Sequence, residues 1–513
     1  MIKAWIFDDL LATFYLAYQK ICYFCTKIQN YMKRGKIIGR EREMAELQRS
    51  MESNRSEFVI VYGRRRVGKT YLVDNFFNYE YDFSYVGGHR LSKQKQLRNF
   101  AKAMKKYAQL PRQPKYSDWD DAFDALEEYL EGLPEEKRKV VFFDEMPWID
   151  TPQSEFMEAL ETFWNGWAAR RQDIVFVASG SSTSWMMDNL VENQGGLHGR
   201  VTNNIYVRPF TLHEVELYME SRGGSWDHYQ MLQTYMIIGG IPFYYSLLNV
   251  KESLVQNVDR LFFRKNGELR TEFDELYGAL FTHAEKYKNI VKLLNGKRYG
   301  MTREEIERES GLDKSVLSTV LRNLERSDFI LRYSQFGNKT KGAIYRLVDF
   351  YTLFYYRFVE GFNAQDEEWW SHNFNSPAIE SWQGLSFELV CFMHLTQIKR
   401  KLGIAGTSTA ASSWRHTPSR KKDDEVVEKG TQIDLLIDRA DRVINLCEMK
   451  FSVKPYRITE SYEASLRDRM GIFQEKTKTT KTIVYTFVTS FGVADGIHHS
   501  IVNSEVTMVD LFG

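Results

Sequence analysis

The sequence predicts an α/β protein whose first half is built on a parallel β-sheet. Three apolar segments, at 57–62, 139–144 and 173–178, have the composition of buried strands, and polar or glycine-rich residues follow each one. Helical patterns follow these strands, as is typical of strands that pair in parallel. Two further apolar runs, at 431–438 and 442–450, predict a hairpin in a second α/β region near the C-terminus.

Length and charge limit the class of protein. The chain has 513 residues and a net charge of +1, which suits three or four globular domains. Near-neutrality excludes a uniformly basic nucleic-acid coat protein, and 14% aromatic residues exclude a mostly disordered chain. The segment 285–346 departs from this near-neutrality, because it contains 14 Lys and Arg but only 8 Asp and Glu. Four cysteines are too few for a disulfide framework, which favours a reducing cytoplasm.

The first 31 residues are expected to form a helical extension, since Met32 opens a segment with the character of a natural start. The apolar stretch 10–25 is short for a membrane span and is interrupted by Gln19 and Lys20. It also lacks the basic flank of a signal peptide. We therefore expect a cytoplasmic protein with no stable membrane insertion.

A glycine-rich loop follows the first strand and opens a helix, which is the context that a phosphate-binding loop requires. Its glycines allow backbone N–H groups to face phosphates, and the helix N-terminus adds partial positive charge. Lys69 would neutralise phosphate charge, and the Thr70 hydroxyl would bind Mg²⁺. The candidate binding residues are Gly63, Arg64, Arg65, Arg66, Val67, Gly68, Lys69 and Thr70.

The second strand ends in two carboxylates, Asp144 and Glu145. Parallel strands end at one edge of a sheet, so both acids are expected beside the glycine loop. Asp144 would hold Mg²⁺, and Glu145 would orient and deprotonate an attacking water. A strand that ends in such residues also resembles a helix N-cap, but the glycine loop upstream favours the catalytic interpretation.

Two further residues are candidates for contact with the phosphates. Ser181 follows the third strand, where a hydroxyl could sense the terminal phosphate or could form a turn that caps the next helix. Arg200 follows a glycine-rich segment and could stabilise charge in the transition state, or could simply pair on the surface. The residues leave both alternatives open.

These motifs resemble the AAA+ superfamily, and more narrowly the signal-transduction ATPases with numerous domains and their archaeal and bacterial relatives. The resemblance covers roughly residues 36–350 and includes the Gly239–Pro242 segment, which in that family lies in a helical lid over the nucleotide. It implies ATP and Mg²⁺ as ligands, with ATP hydrolysis as the activity. An oligomer is compatible with this resemblance.

The middle of the chain predicts a helical lid followed by a winged helix. Residues 211–277 have an amphipathic helical pattern, and 285–346 then predict three helices and a hairpin. Thr302 with Glu305 forms a capping box, and Asp313 is expected to cap the third helix. That helix carries its apolar residues on one stripe.

The predicted winged helix could bind DNA or could serve only as an intramolecular packing module. For DNA binding, the residues of the third helix that would enter the major groove are Lys314, Ser315, Ser318, Thr319 and Arg322. Lys339 and Lys341 in the wing would contact phosphates. The residues favour neither alternative.

The C-terminal hairpin carries a further group of candidate catalytic residues. Asp434 lies on its first strand, and Glu448 and Lys450 lie two residues apart on its second strand, where they share one face. Two carboxylates and a lysine can hold Mg²⁺ and polarise a phosphodiester, and Glu388 on a preceding helix could add a third carboxylate. The small and polar residues at 405–430, before the hairpin, predict a loop.

These residues resemble the PD-(D/E)xK nuclease superfamily, and more closely the ATPases that carry a C-terminal nuclease-like domain of unknown function. The resemblance covers about residues 351–513 and implies a restriction-endonuclease-like α/β fold. The proline that usually precedes the aspartate is replaced here by Ile433. Glu388, Asp434 and Glu448 would be the metal ligands.

The predicted architecture therefore has four domains after an extension. The extension covers 1–31, and the four domains are a P-loop ATPase domain at 32–210, a helical lid at 211–280, a winged helix at 281–350 and a nuclease-like domain at 351–513. The functional hypothesis is an ATPase that couples nucleotide state to a DNA-directed nuclease-like domain. Its rival is an ATP-dependent switch or scaffold whose C-terminal domain is inactive and only binds a partner.

Overall fold

A computed structural model describes residues 36–134, 137–192, 194–337, 342–363, 365–416 and 430–513. The predicted extension at 1–31 and the wing residues Lys339 and Lys341 lie outside the described residues. In the part of the chain that is described, no helix has both the length and the apolar character needed to cross a membrane.

The N-terminal half contains a five-stranded sheet in the order β2-β3-β4-β1-β5, with every neighbouring pair parallel. Its strands are β1 (Glu57–Tyr62), β2 (Phe83–Val86), β3 (Lys139–Asp144), β4 (Ile174–Gly180) and β5 (Asn203–Tyr206). The helices around it are α1 (Glu41–Glu52), α2 (Lys69–Phe76), α3 (Lys93–Tyr107), α4 (Trp119–Glu131), α5 (Phe156–Gly166) and α6 (Thr183–Met186). This arrangement confirms the predicted parallel-sheet α/β fold.

The central strand explains why the sequence pattern was strong. Val59 and Val61 pack into one apolar cluster, while Phe58 and Ile60 pack into another on the opposite face. A strand covered on both faces reads as a continuous apolar run rather than as an alternating one. The observed bounds of β1 equal the predicted ones because the side chains on both faces of the strand pack into apolar clusters.

Helices dominate the next segment, from 212 to 280. They are α7 (Leu212–Ser221), α8 (His228–Ile238), α9 (Pro242–Ser246), α10 (Leu254–Val258) and α11 (Glu268–Leu280). The α7 helix begins with a reciprocal capping box between Thr211 and Glu214. Gly240 precedes α9 at a point where a Cβ atom would lie 1.9 Å from the Phe210 carbonyl oxygen, so glycine is required there.

The segment 284–347 contains three helices and a small antiparallel sheet in the order β6-β8-β7. Its elements are α12 (Ala284–Asn295), β6 (Met301–Thr302), α13 (Arg303–Ser310), α14 (Lys314–Arg326), β7 (Ile330–Tyr333) and β8 (Ile344–Leu347). The predicted capping box is present, since Thr302 Oγ1 accepts a hydrogen bond of 3.2 Å from the Glu305 amide. The predicted cap at Asp313 is wrong, because its side chain makes no capping hydrogen bond to α14.

The C-terminal region is built on a mixed sheet in the order β13-β12-β11-β10-β9. Its strands are β9 (Thr409–His416), β10 (Thr431–Arg439), β11 (Val443–Lys450), β12 (Thr482–Thr489) and β13 (Ser504–Thr507). Strand β10 is antiparallel to both of its neighbours, β9 and β11, whereas β11 pairs in parallel with β12 and β12 pairs in parallel with β13. The accompanying helices are α15 (Phe350–Phe354), α16 (Trp369–Asn373), α17 (Pro377–Met393), α18 (Leu395–Lys401), α19 (Glu460–Thr477) and α20 (Met508–Phe512).

Strand β9 corrects the predicted loop at 405–430. Residues 409–416 pair with β10 along the edge of the sheet, and Trp414 is buried against the sheet core. The small and polar residues of this segment give no strand signal of their own, so pairing with β10 decides its conformation. The rest of the predicted loop, at 417–429, lies outside the described residues.

Candidate functional site

Two glycines shape the loop between β1 and α2. Gly63 has a φ of +146°, and a Cβ atom there would lie 2.3 Å from the Val207 carbonyl oxygen. Gly68 has a φ of +89° and immediately precedes α2. Both positions therefore need glycine, and the loop delivers the amides at the start of α2 to the carboxyl edge of the parallel sheet.

Lys69 is buried in the centre of this loop. Its Nζ donates hydrogen bonds to the carbonyl oxygens of Gly63, at 3.1 Å, and Arg64, at 3.0 Å. Burial lowers the pKa of Lys69 to about 8, although the charges of Glu145 and Asp144 act in the opposite direction. The amine is thus held by neutral partners that a phosphate group can replace.

Thr70 and Asp144 meet at the end of the loop, as predicted. Thr70 Oγ1 lies 3.0 Å from one carboxylate oxygen of Asp144, and the Ser179 hydroxyl also donates to that carboxylate. Burial raises the pKa of the Asp144 carboxyl. A hydroxyl beside a carboxylate is an oxygen donor set of the kind that Mg²⁺ prefers, so these two residues fit the cation.

Glu145 lies next to this pair on a strained backbone. Its φ of +50° is in the left-handed region, which is uncommon for a residue other than glycine and typical of functional sites. Its Oε2 accepts hydrogen bonds from the Ser181 amide, at 3.2 Å, and from the Ser181 hydroxyl, at 2.8 Å. Ser181 therefore holds Glu145 at the sheet edge, and its side chain does not cap α6.

The three arginines of the loop do not share one role. The Arg64 side chain is buried and donates a hydrogen bond of 2.6 Å to Asp349, and its guanidinium lies 4.4 Å from the Phe329 ring centre. Arg66 forms an ion pair with Glu272 of α11. These two side chains thus bind the segments after the sheet, while Arg65 remains half-exposed beside Lys69.

Arg200 lies away from the loop. The residue two places later, Thr202, donates its amide to the Phe58 carbonyl oxygen near the start of β1, whereas the glycine loop begins after the last residue of β1. At about 3.3 Å per strand residue, those two ends are about 13 Å apart. The structure therefore does not bring Arg200 to the phosphate loop of its own chain, because it precedes β5 at the amino edge of the sheet.

An apolar cavity of about 410 Å³ opens beside the loop, and the sequence did not predict it. It lies between residues 36–40, α2 and the helical segment, and its lining includes Ile37, Ile38, Arg40, Tyr71, Leu72, Phe210, Tyr218, Pro242 and Phe243. Arg40 closes one side, with its guanidinium 4.6 Å from the Phe210 ring centre and 3.2 Å from the Val67 carbonyl oxygen. The pair of isoleucines before Gly39 and Arg40 is the only signal in the sequence that could have marked it.

The C-terminal residues predicted from the hairpin line a second, polar cavity. Asp434 on β10 lies one place beyond the paired residues Leu435 and Cys447, opposite Glu448 on β11. Glu388, Asp434, Glu448 and Lys450 all line this cavity of about 310 Å³. The structure thus brings together the four residues that the sequence predicted for this site.

Positive side chains already neutralise these carboxylates. Arg298 lies 2.8 Å from Glu388 and 3.7 Å from Asp434, while Arg469 forms an ion pair with Glu448. The Tyr462 hydroxyl donates to Glu448 at 2.6 Å, and Lys450 lies 3.7 Å from the same carboxylate. Burial, and then the charge of Asp434, raises the pKa of Glu388 to about 7.

The arrangement of this cavity does not fit a metal ion as it stands. Among the described residues, no three His, Cys, Asp or Glu side chains are grouped in a way that could hold one. The predicted ligand set of Glu388, Asp434 and Glu448 is divided between two arginines instead. A cation would have to displace at least one of these guanidinium groups.

Helix α14 has one free end and one covered end. The Lys314 side chain is 80% exposed at its start. Near the end, Arg322 lies 4.0 Å from Asp188, and Arg326 pairs with Asp188 at 2.7 Å and with Glu192. The end of the helix therefore contacts the segment that follows β4 through Arg322 and Arg326, while Lys314 and Ser315 at its start are exposed.

Two relatives are similar to parts of this chain. An uncharacterized protein of Methanocaldococcus jannaschii is 25% identical over 327 residues, which cover 63% of this chain and 69% of that protein. An uncharacterized ATP-binding protein of the same organism is 44% identical over 40 residues, which cover 8% of this chain and 68% of that protein.

Two solved structures are also similar. A Walker-type ATPase of Pyrococcus abyssi is 16% identical with a TM-score of 0.46, and the match covers 62% of this chain and 95% of that one. The ORC2 protein of Aeropyrum pernix in ADPNP–ADP complexes is 12% identical with a TM-score of 0.39, and the match covers 71% of this chain and 96% of that one.

Residues 37–248 match the model of a family described as an ATPase domain predominantly from Archaea. This range contains the glycine loop, the carboxylates after β3 and the apolar cavity beside them. The loop geometry and this match together support a P-loop ATPase, with residues 37–248 similar to that ATPase domain.

Proposed function

We propose that this ATPase uses its nucleotide state to control a DNA-directed, nuclease-like C-terminal domain. In the ATPase part, the adenine base would occupy the apolar cavity beside Arg40, and Lys69 would bind the terminal phosphates. A Mg²⁺ ion held by Thr70 and Asp144 would supply further positive charge to those phosphates. Glu145, oriented by Ser181, would take a proton from the attacking water.

The observation that carries the coupling is the buried ion pair between Arg64 and Asp349. Arg64 belongs to the loop that wraps the phosphates, and Asp349 lies between β8 and α15, where the C-terminal region begins. Both side chains are less than 5% exposed, so this contact cannot be exchanged for water without a large cost. A change in the loop on nucleotide binding would therefore be transmitted to residues after 281.

The remaining domain assignments rest on the order of elements. Three helices followed by a hairpin, with a sheet in the order β6-β8-β7, support a winged helix at 281–350. An antiparallel hairpin that carries Asp434, Glu448 and Lys450, joined to two parallel strands, supports a nuclease-like domain at 351–513. The accessible start of α14 would give the DNA contact through Lys314 and Ser315.

A cleavage assay tests the proposal. Purified protein is incubated with Mg²⁺ or Mn²⁺ and with linear, circular and single-stranded DNA, with and without ATP. We expect cleavage that Asp434→Ala and Lys450→Ala abolish. Asp438→Ala on the same strand and the exposed Lys454→Ala are matched controls outside the cavity, and should cleave like the parent. If no DNA form is cleaved in a way that depends on Asp434 and Lys450, the nuclease function is wrong.

A second candidate function is an ATP-dependent switch whose nuclease-like domain is inactive and binds a partner. The observation that favours it is the neutralisation of the three cavity carboxylates by Arg298 and Arg469. In that case, ATP turnover would proceed normally, and no divalent cation would produce cleavage under any nucleotide condition.

A further inference from the structure

A third cavity, of about 440 Å³, lies where the segment 281–350 meets the C-terminal region. Its wall is formed by the end of α12 and the loop after it, by β8, and by α15 and α17. The apolar residues of this wall are Leu294, Leu347, Leu353, Trp382, Leu385 and Leu389. A concave space of this size with a largely apolar wall is typical of a site for a small molecule.

The charged side chains that the described part of the chain contributes to this wall are all positive. They are Lys297, Arg298, Arg346 and Arg357. Lys297 already pairs with Glu309 at 3.0 Å, and Arg298 already pairs with Glu388 at 2.8 Å. The positive charge that remains for a ligand therefore comes chiefly from the other two arginines.

Arg346 and Arg357 enter the cavity from different elements. Arg346 lies on β8, and Arg357 lies on the helical turn Tyr355–Val359 that continues α15. Among the described residues, neither arginine forms an ion pair; Arg346 acts on Glu388 only at longer range, and the Arg357 guanidinium lies 5.8 Å from a neighbouring aromatic ring centre. Two guanidinium groups without an adjacent acid favour a ligand that carries two negative charges.

The Ser386 hydroxyl on α17 is a second sign of a missing ligand. Ser386 lines the cavity and is only 4% exposed. Within the ranges that the structure describes, its side chain makes no hydrogen bond. A buried hydroxyl without a hydrogen bond is unfavourable, so a ligand oxygen in the cavity would stabilise it.

The aromatic residue of the wall is held in place by other rings. Trp382, one helical turn before Ser386, packs against Phe354, Phe358 and Trp370, with ring centres 5.3 to 6.2 Å apart. A ring that is already fixed can contact a planar ligand at little cost in conformational entropy. The wall therefore suits a planar apolar group beside the two arginines.

We propose that this cavity binds a small phosphate monoester with a planar apolar group, such as a nucleoside monophosphate. Arg346 and Arg357 bind the phosphate dianion, Ser386 donates a hydrogen bond to one of its oxygens, and the planar group lies along Trp382. The site goes beyond the proposed function, because it requires neither ATP hydrolysis nor DNA cleavage. The bound phosphate would join β8 to α17, so the ligand would also stabilise the contact between the segment 281–350 and the C-terminal region.

The test measures the binding of thymidine 5′-monophosphate to the nucleotide-free full-length chain by isothermal titration calorimetry, with EDTA present. The variants are Arg346→Gln, Arg357→Gln and Ser386→Ala. Arg332→Gln is the matched control, because it removes an exposed arginine of β7 that does not line the cavity. Lys69→Ala reports binding at the glycine loop instead. Unfolding curves establish that each variant is folded, and the exposed position of Arg357 keeps the test valid if Arg346→Gln does not fold.

We expect Arg346→Gln and Arg357→Gln each to weaken binding at least about tenfold, because each loses a charge-assisted hydrogen bond to the phosphate. Ser386→Ala should weaken it about threefold. Arg332→Gln and Lys69→Ala should bind like the parent, and thymidine or inorganic phosphate alone should bind more weakly than the monophosphate. The proposal is overturned if the parent shows no binding at about 1 mM, if both arginine variants bind like the parent, or if Lys69→Ala weakens binding as much as they do.

The 5′-phosphate end of a nucleic-acid strand has the same chemistry as the free monophosphate. Oligothymidylates with and without a 5′-phosphate distinguish these two sources. If the phosphorylated strand binds more tightly than the monophosphate, and Arg357→Gln removes that advantage, the cavity holds strand ends. If the strand binds no more tightly, the ligand is the free monophosphate.

Discussion

The nucleotide loop and the C-terminal cavity contain the same kinds of residue but surround them differently. Each has a lysine and carboxylates beside a β-sheet. Lys69 and Asp144 are bound by carbonyl oxygens and hydroxyls, whereas Glu388 and Glu448 are bound by arginines. A charged ligand can replace neutral partners without leaving a charge unpaired, but it must compete with arginines. The first site is therefore ready for its ligand, and the second has to be opened.

The largest contrast should appear when one glutamate is neutralised in each site. Glu145→Gln should lower the rate of ATP hydrolysis by about 10²–10⁴-fold, because the general base is lost while the phosphate contacts of Lys69 remain. ATP affinity should stay close to that of the parent. Steady-state turnover and nucleotide titration measure both quantities.

Glu448→Gln is the corresponding change in the C-terminal cavity. It should leave ATP hydrolysis unchanged and lower the free energy of unfolding by about 1–3 kcal/mol, because Arg469 loses its charged partner. Urea unfolding of the parent and the variant measures the loss. An ATPase defect in Glu448→Gln as large as that in Glu145→Gln would contradict the separate roles of the two sites.

The Arg64–Asp349 pair should matter for stability more than for nucleotide contact. Arg64→Met should lower the free energy of unfolding by about 3–5 kcal/mol, because it leaves the buried Asp349 carboxylate unpaired. The double variant with Asp349→Asn should recover part of this loss, since asparagine can still accept the Thr352 amide at the start of α15. Arg65→Met, on a half-exposed neighbour, should change stability by less than about 0.5 kcal/mol.

Proton uptake should distinguish the Lys69 amine from an ordinary lysine. Its pKa of about 8 in the free protein lies below that of an unfolded chain, so the nucleotide-free fold gains stability as pH rises from 8 towards 10. Bound phosphate favours the charged amine and raises this pKa. ATP binding at pH 9 should therefore take up close to one proton more than at pH 7, measured by calorimetry in buffers of different ionisation enthalpy. Lys69→Arg should not show this difference.

The smallest effect is expected at the start of α14. Lys314→Gln should weaken DNA binding modestly and reduce the slope of log affinity against log salt by about 1, because one phosphate contact is lost. Arg322→Gln should have less effect, since Arg322 already faces Asp188. Lys106→Gln, on the exposed face of α3, is the control. Equal binding by all four proteins would favour an intramolecular packing role for this helix.

The sequence predicted what short-range patterns determine. The bounds of β1 were predicted correctly because apolar side chains fill both faces of that strand. The residues at the nucleotide loop followed from glycines whose φ values no other residue adopts readily, as at Gly68. The helix α14 was also predicted, from its single apolar stripe, and it begins directly after Asp313 as expected.

Long-range pairing explains what the sequence did not predict. Strand β9 depends on β10 and not on its own composition, and Arg298 reaches Glu388 across 90 positions of the chain. Arg64 was expected at the phosphates, but its side chain turns to Asp349 because that carboxylate offers a buried partner. No local pattern encodes such partners, since each depends on how separate units pack.

The most direct test of the account is ATP binding and hydrolysis by Lys69→Ala, measured beside the parent. The account predicts that the variant, folded to the same extent as the parent, loses ATP affinity by at least about 100-fold and has no measurable turnover, because the phosphates lose their buried positive charge. Lys93→Ala, at the start of α3, serves as the control and should hydrolyse ATP like the parent. Parent-like ATP binding and hydrolysis by Lys69→Ala would contradict the assignment of the Gly63–Thr70 loop as the catalytic nucleotide site.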